Sequence, residues 1–335
     1  MLGPAADAFL LGPGATLLLG LPLLLSKRAG GASWAVAEPI MVGLIFLCVG
    51  PHYAATYRRA YTSTDVIRDH PWVTIAAPLA LLVVAAGAML RPTTIGVAFF
   101  AVYVCWSGYH YSGQSIGLAM LYPLRQGARL DPREKRLLKL PLYVSWILSL
   151  IGFFRLSMPA RSAAHELVRR AYTSAGASVP TWLIGAGLAA LAASFLGVAR
   201  VARERRLRGT PLPWPTYAVL SAQVTWFTVG LFEPLFAITL VPVFHSLQYV
   251  ALTSWHACHG QPAGPKLFAR YAVVILLLGL AINPGVFLLA GHYGLAGDTL
   301  VASAAIMSFV NLHHFLLDGR IWRLRERRVV QSMVA

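Results

Sequence analysis

The chain of 335 residues reads as an all-α protein, a polytopic transmembrane helical bundle of about ten spans, on three observations. First, 57% of the residues are hydrophobic and only 12% are charged, where a soluble domain carries about 25%. Second, apolar runs near 20 residues long recur along the whole chain, the length a helix needs to cross a bilayer. Third, the cationic residues gather between those runs on alternate sides, as topology signals do.

Taken in order, the first run lies near Phe9–Leu25 and is interrupted by Gly12, Pro13, Gly14 and Pro22. It therefore reads either as a broken span or as a re-entrant segment. The second lies near Trp34–Tyr53, the third near Trp72–Leu90 and the fourth from Thr94 to Leu118. The fifth is near Leu140–Phe154 and the sixth near Trp182–Val198. A pair of runs from Tyr217 to Ser254 turns near Gly230–Pro234, where Gly and Pro disfavour helix continuation. The ninth is near Tyr271–Ala290 and the tenth near Leu300–Leu317. Residues 1–335 form a single membrane domain in this reading, with 320–335 as a basic tail.

Of the 28 Lys and Arg residues, 21 fall in the even loops and the C-terminal tail and 7 in the odd loops. The positive-inside rule then puts both termini in the cytoplasm, in a bacterial-type inner membrane. The net charge of +16 is accounted for by those loops, so nucleic acid is not an expected partner. Three scattered cysteines, Cys48, Cys105 and Cys258, form no CxxC pair, and the N-terminus lacks a cleavage signal. His256, Cys258 and His259 form a short soft-ligand cluster that reads as loop chemistry.

Ionisable groups inside apolar runs are costly and mark candidate sites. His52, His110, His245 and the pair His313–His314 lie in or at the ends of runs that all head toward the cytoplasm. At ~1.5 Å per residue, His52, His110 and His314 fall at a similar depth, and His245 joins them if its helix starts close to Gly230 or is kinked at Pro242. Each has polar company at helical spacing. His110 precedes Gln114 by four; His245 precedes Gln248 and Tyr249 by three and four; His314 follows Asn311 and precedes Asp318. Ser303, Met307, Asn311, His314 and Asp318 share one stripe, whereas His313 points about 100° away. The candidate metal ligands are therefore His52, His110, His245 and His314, with His313 as the competing residue. Gln114, Gln248, Tyr249 and Asp318 are candidates for orienting ligands or moving protons. Pairing of Asp318 with Arg320 or Arg323 is the structural alternative. His165 and His292 read as outer loop residues and His70 as an interfacial one.

An imidazole-rich set suits iron, zinc or copper. There is no H-E-x-x-H for a zinc hydrolase and no C-x-x-C-H for covalent haem. The residues themselves leave iron, zinc or a b-type haem open.

Tyr109-His-Tyr-Ser-Gly-Gln114 and Phe244-His-Ser-Leu-Gln-Tyr249 resemble the two histidine motifs of the Brp/Blh family of membrane β-carotene 15,15'-dioxygenases. The resemblance implies Fe(II) as the cofactor, held by histidines, and cleavage of a lipid-soluble substrate with oxygen; zinc or a b-type haem are the alternatives. His52 matches the family's earlier histidine. The later family motif has a second histidine where this chain has Tyr249. Residues and resemblance together lead to the expectation of a membrane iron oxygenase acting on a carotenoid-, isoprenoid- or fatty-acyl-like substrate amid membrane lipids. A proton-coupled transporter using the histidines with Glu38 and Glu233, and a b-haem electron carrier, are the rival expectations.

Overall fold

The computed structural model describes residues 3–155, 180–258, 264–282 and 297–322. Among them there is no strand, and the chain is a succession of packed helices. Pro4–Gly20 forms short helical and π-helical turns, leading into α1 (Leu21–Ala29). Next come α2 (Gly31–Tyr61), the short α3 (Thr64–Asp69) and α4 (Trp72–Leu90, whose first turn is π-helical). A π-helical turn, Pro92–Gly96, opens α5 (Val97–Arg125), and α6 (Pro132–Arg155) and α7 (Thr181–Leu207) follow. The remainder is α8 (Trp214–Phe232), α9 (Pro234–Cys258), α10 (Gly264–Ile282) and α11 (Gly297–Ile321).

Among the described residues, three helices are long and apolar enough to cross a membrane: Gly31–Tyr61, Trp72–Leu90 and Trp182–Leu207. Their apolar side chains are not all inside. Val83 is 73% exposed and Leu196 72%, which a helix tolerates when its surroundings are lipid. The chain is thus membrane-associated.

The first apolar run is not one helix. It breaks at Gly12, whose backbone is extended (φ −94°, ψ −163°). The broken segment is a wedge rather than a surface strap: Leu11 is 0% exposed. The Trp226 indole donates to Thr16 Oγ1 at 2.6 Å, and Gly20 abuts the Phe244 ring of α9. Lys27, at the end of α1, pairs with Glu233. Glu233 is the non-helical joint between α8 and α9 (φ −136°, ψ 82°), as the residue before a proline tends to be.

At the start of α6, Asp131 and Glu134 form a reciprocal capping box: each backbone N–H is taken by the other's carboxylate, at 2.9 and 2.8 Å. Arg205 of α7 grips the same Glu134 carboxylate with Nε at 2.7 Å and Nη2 at 2.5 Å. This hydrogen bonding by Arg205, with the cap, holds the Glu134 carboxyl below the ordinary carboxylate range. A lowered folded pKa contributes stability that is complete above the unfolded value, about 4.3, and is lost as pH falls through the folded one. Glu134→Ala should lower unfolding stability by roughly 3 kcal/mol at neutral pH, since it leaves a buried guanidinium unpaired. Acid titration of the melting temperature should be correspondingly flatter in that variant below about pH 4. Equal acid sensitivity in variant and wild type would contradict the assignment.

Candidate metal centre

Four helices each bring one imidazole to a common point. His52 follows Pro51 in α2, His110 sits midway along α5, His245 lies three residues past Pro242 in α9, and His314 is in the last third of α11. All four are buried, His314 completely. The ring centroids of His52 lie 4.3 Å from His314, 4.8 Å from His245 and 6.4 Å from His110. His110 is 4.9 Å from His314 and 5.0 Å from His245. Among the described residues this is the only group of three or more His, Cys, Asp or Glu side chains whose donor atoms could share an ion, and those atoms lie within 4.8 Å of one another.

The nitrogen geometry tests whether an ion fits. His314 Nε2 is 2.7 Å from His52 Nε2 and 3.2 Å from His110 Nε2. A neutral imidazole nitrogen either donates one hydrogen or offers one lone pair, so His314 Nε2 cannot make two good hydrogen bonds in these directions. Metal–imidazole bonds of ~2.1 Å put neighbouring nitrogens about 3.0 Å apart at a right angle and about 3.4 Å apart at a tetrahedral one. The observed separations suit nitrogens arrayed around one cation. Both ring nitrogens of His245 are buried without a hydrogen-bond partner, as is Nδ1 of His52 and of His314. Orphaned buried polar atoms are rare and need a reason; an ion at the centre supplies one for the inward-facing nitrogens. The four histidines can hold a metal ion.

Asp318 stands one helical turn after His314. Its Oδ2 is 3.4 Å from His314 Nε2 and 3.9 Å from His110 Nε2. Its Oδ1 accepts from Thr56 Oγ1 and from the Tyr249 hydroxyl, both at 2.8 Å. The Trp322 indole donates to the same Tyr249 oxygen at 2.8 Å, and the Tyr249 ring lies 4.2 Å from that of His52. One carboxylate oxygen is thus tied down by hydroxyls while the other faces the imidazoles. Arg320, the structural alternative partner, lies instead over the Trp72 ring, 5.0 Å from its centroid, and Arg323 is outside the described residues. Phe315 stacks on His110 at 4.3 Å and fixes that ring's plane.

Other candidates are placed differently. Gln114 donates to the backbone carbonyl of His245 at 2.9 Å, and Gln248 donates to that of Leu11 at 2.7 Å. The first amide ties α5 to the backbone of His245, and the second ties α9 to the N-terminal wedge. His313 is outside the group. Its Nε2 is 3.0 Å from the Val73 carbonyl, and its Nδ1 is 3.2 Å from the Tyr57 hydroxyl. The reason is angular: adjacent residues point about 100° apart on a helix. His313→Ala should therefore leave metal content unchanged and cost about 1–3 kcal/mol of stability through the orphaned carbonyl. Metal loss in this variant would reverse that placement.

His256 contacts Arg59 at 3.4 Å and the Trp322 ring; His259, its partner in the soft-ligand cluster, is outside the described residues. His70 ends α3, and its carbonyl accepts from Val73 and Thr74. His165 and His292 also lie outside the described residues.

Two contributors escaped the sequence reading. Thr56 stands four residues after His52, a spacing that marks one helix face and was the available signal. Tyr53 donates to Asn311 Oδ1 at 2.7 Å, a contact between distant segments with no local signature. Comparisons of the chain with protein-family models, with curated proteins and with solved structures return no match.

Proposed function

We propose that this chain is a multi-pass enzyme of a bacterial-type cytoplasmic membrane, a non-haem-iron oxygenase acting on a lipid-soluble substrate. About ten spans, with both termini cytoplasmic, would make one membrane domain of it. The observation that carries the reading is the convergence of four imidazoles from four helices, with nitrogens 2.7 and 3.2 Å apart.

The residues that would hold iron are His52, His110, His245 and His314. A bound ferrous ion supplies one-electron chemistry with dioxygen. The chain's own part begins with orientation. Phe315 holds the His110 ring, and Tyr249 and Thr56 hold Asp318 with Oδ2 toward the imidazoles. Asp318 is the group positioned to hold or pass a proton at the centre. Burial keeps bulk water from the site, and lateral access suits a substrate dissolved in lipid. His110 and His245 stand in the two motifs that resemble the Brp/Blh dioxygenases, and His52 matches the earlier histidine. Tyr249, which replaces the second histidine of the later motif, would be a hydrogen-bonding wall, with His314 supplying the fourth nitrogen.

The rivals fit less well. A b-haem needs its axial nitrogens about 4 Å apart across the macrocycle plane; His52 and His314 are 2.7 Å apart with two more imidazoles beside them. For the transporter reading, Glu233 was to complete a path, but Lys27 neutralises it. The test is elemental analysis with optical spectroscopy on purified protein. Iron near one per chain with no Soret band is expected. Preparations that bind no iron, zinc or copper when supplied would overturn the reading.

A further inference from the structure

A cavity of ≈ 270 Å³ lies between α5, α9 and α11, and His110, Tyr249 and Asp318 belong to its lining. Its α5 wall includes Tyr109, Gly113, Gly117 and Leu121, an i, i+4 series that follows one side of the helix, with His110 and Gln114 beside it. From Tyr109 to Leu121 that wall runs about 18 Å. A Cβ added at Gly113, Gly117 or, on the facing helix, Gly319 would meet nothing within 4 Å. Glycine is a poor helix former, and in membrane helices its usual reason is close backbone packing. Among the described residues no side chain fills the space at Gly113 and Gly117, so here the glycines keep a trough open. Its outer side reaches the helix surface, where Tyr109 is 50% exposed.

The two ends differ chemically. One end holds the His110 and Asp318 side chains. One turn beyond Asp318, Trp322 lies under the Arg59 guanidinium, 3.9 Å from carbon to ring centroid. Arg125, one turn beyond Leu121, lies 4.6 Å over Trp255, which is itself one turn beyond the cavity residue Leu252. Neither guanidinium lines the cavity itself; stacking on indoles holds Arg59 over a lining residue and Arg125 one turn beyond Leu121 instead of leaving them free to snorkel. Guanidinium forks match carboxylates.

We propose that this trough binds a single unbranched fatty-acid-like chain, with its carboxylate at Arg59 and Arg125 and its chain laid over Gly117 and Gly113 toward His110. The chain's presentation to a reacting centre rests on the oxygenase reading above; its binding does not. A cavity of ≈ 270 Å³ takes one such chain rather than the two of a phospholipid.

The test uses full-length protein in phosphatidylcholine nanodiscs, with radiolabelled stearate, octadecanol and stearoyl lysophosphatidate as probes and metal content measured on the same samples. Stearate should bind saturably, and about tenfold or more tighter than octadecanol, as a paired charge-assisted contact supplies. Gly117→Leu should weaken stearate at least about tenfold by filling the trough, with metal content unchanged. Gly117→Ala, which helix propensity favours, should show a smaller loss in the same direction and serves if the leucine variant does not fold. Arg59→Gln should weaken stearate and leave octadecanol alone. Wild-type stearate binding in Gly117→Leu would overturn the proposal. Equal binding of stearate and octadecanol would overturn the headgroup assignment, and tighter lysophosphatidate would replace carboxylate by phosphate. Stearate binding without metal would overturn the oxygenase reading and leave the trough; metal without stearate binding would overturn the trough alone.

Discussion

His314→Ala should abolish stoichiometric metal binding while leaving the helices formed. His314 is the hub of the group: its Nε2 is the atom that approaches both His52 and His110, at 2.7 and 3.2 Å. Removing it takes away the donor nitrogen nearest to both His52 and His110 and leaves the Asp318 Oδ2, 3.4 Å from that nitrogen, beside the remaining imidazoles. Loss of a group that merely supports a ligand typically costs 10–100-fold in metal affinity. Loss of the central ligand should exceed that, so purified variant should hold less than about a tenth of the wild-type metal. Asp318→Asn is the graded companion. It retains the shape and loses the charge, and its affinity should fall by about 10–100-fold with the fold intact. Anaerobic metal titration followed by elemental analysis measures both. Because an ion binds the folded centre and not the unfolded chain, added metal should also raise the wild-type melting temperature and leave that of His314→Ala unmoved. Full metal content in His314→Ala would remove α11 from the centre and leave His52, His110 and His245 needing another partner.

The elements most legible in the sequence are those that depend on hydropathy alone. From Trp34 onward every apolar run falls within a helix as far as the described residues go. The helices outrun the apolar segments at their ends: α2 continues eight residues past Tyr53 and α7 nine past Val198. Hydropathy marks the part that avoids water, whereas backbone hydrogen bonding carries the helix on through Arg58 and Arg59, or Arg205 and Arg206, which keep their charges at the end. The histidines were legible for a related reason, since an imidazole in an apolar run stands out chemically. Angular periodicity separated His314 from His313. The depth of His245 depended on where its helix began, and Pro234, eleven residues or about 16 Å earlier, answers that question. The N-terminal wedge was only half legible: Gly12, Pro13 and Gly14 announced a break, but nothing local could show that Leu11 would meet Gln248. The hydrogen-bond partners of Gln114 and Gln248 are illegible for the same reason. An amide four residues from a histidine can serve that ring or a carbonyl on another helix, and only packing decides.

Packing also sets the second large effect, at a residue no motif would single out. Gly279→Val should destabilise the fold and weaken metal binding together. Gly279 is on α10 where that helix crosses α2. A Cβ there would stand 2.4 Å from the carbonyl carbon of Gly50, 2.4 Å from the nitrogen of Pro51 and 2.7 Å from the Gly50 oxygen. All three are backbone atoms, so no side chain can swing away and the helices themselves must separate. Overpacking of this kind costs about 1–3 kcal/mol for small additions, and valine adds two further methyls to a contact already too close for one. The crossing point immediately precedes His52. A shift of α2 at Gly50–Pro51 therefore carries a ligand with it, and imidazoles bind at ~2 Å with little tolerance. Gly43 on the same α2 is the control, since a Cβ there meets nothing within 4 Å. Gly43→Ala should be neutral or stabilising by up to about 1 kcal/mol, following helix propensity. Thermal unfolding and metal affinity measured on both variants decide the matter. If Gly279→Val keeps wild-type stability and affinity, the α2–α10 crossing does not position His52. If stability falls while affinity holds, the crossing supports the bundle but the centre is held by its other three helices.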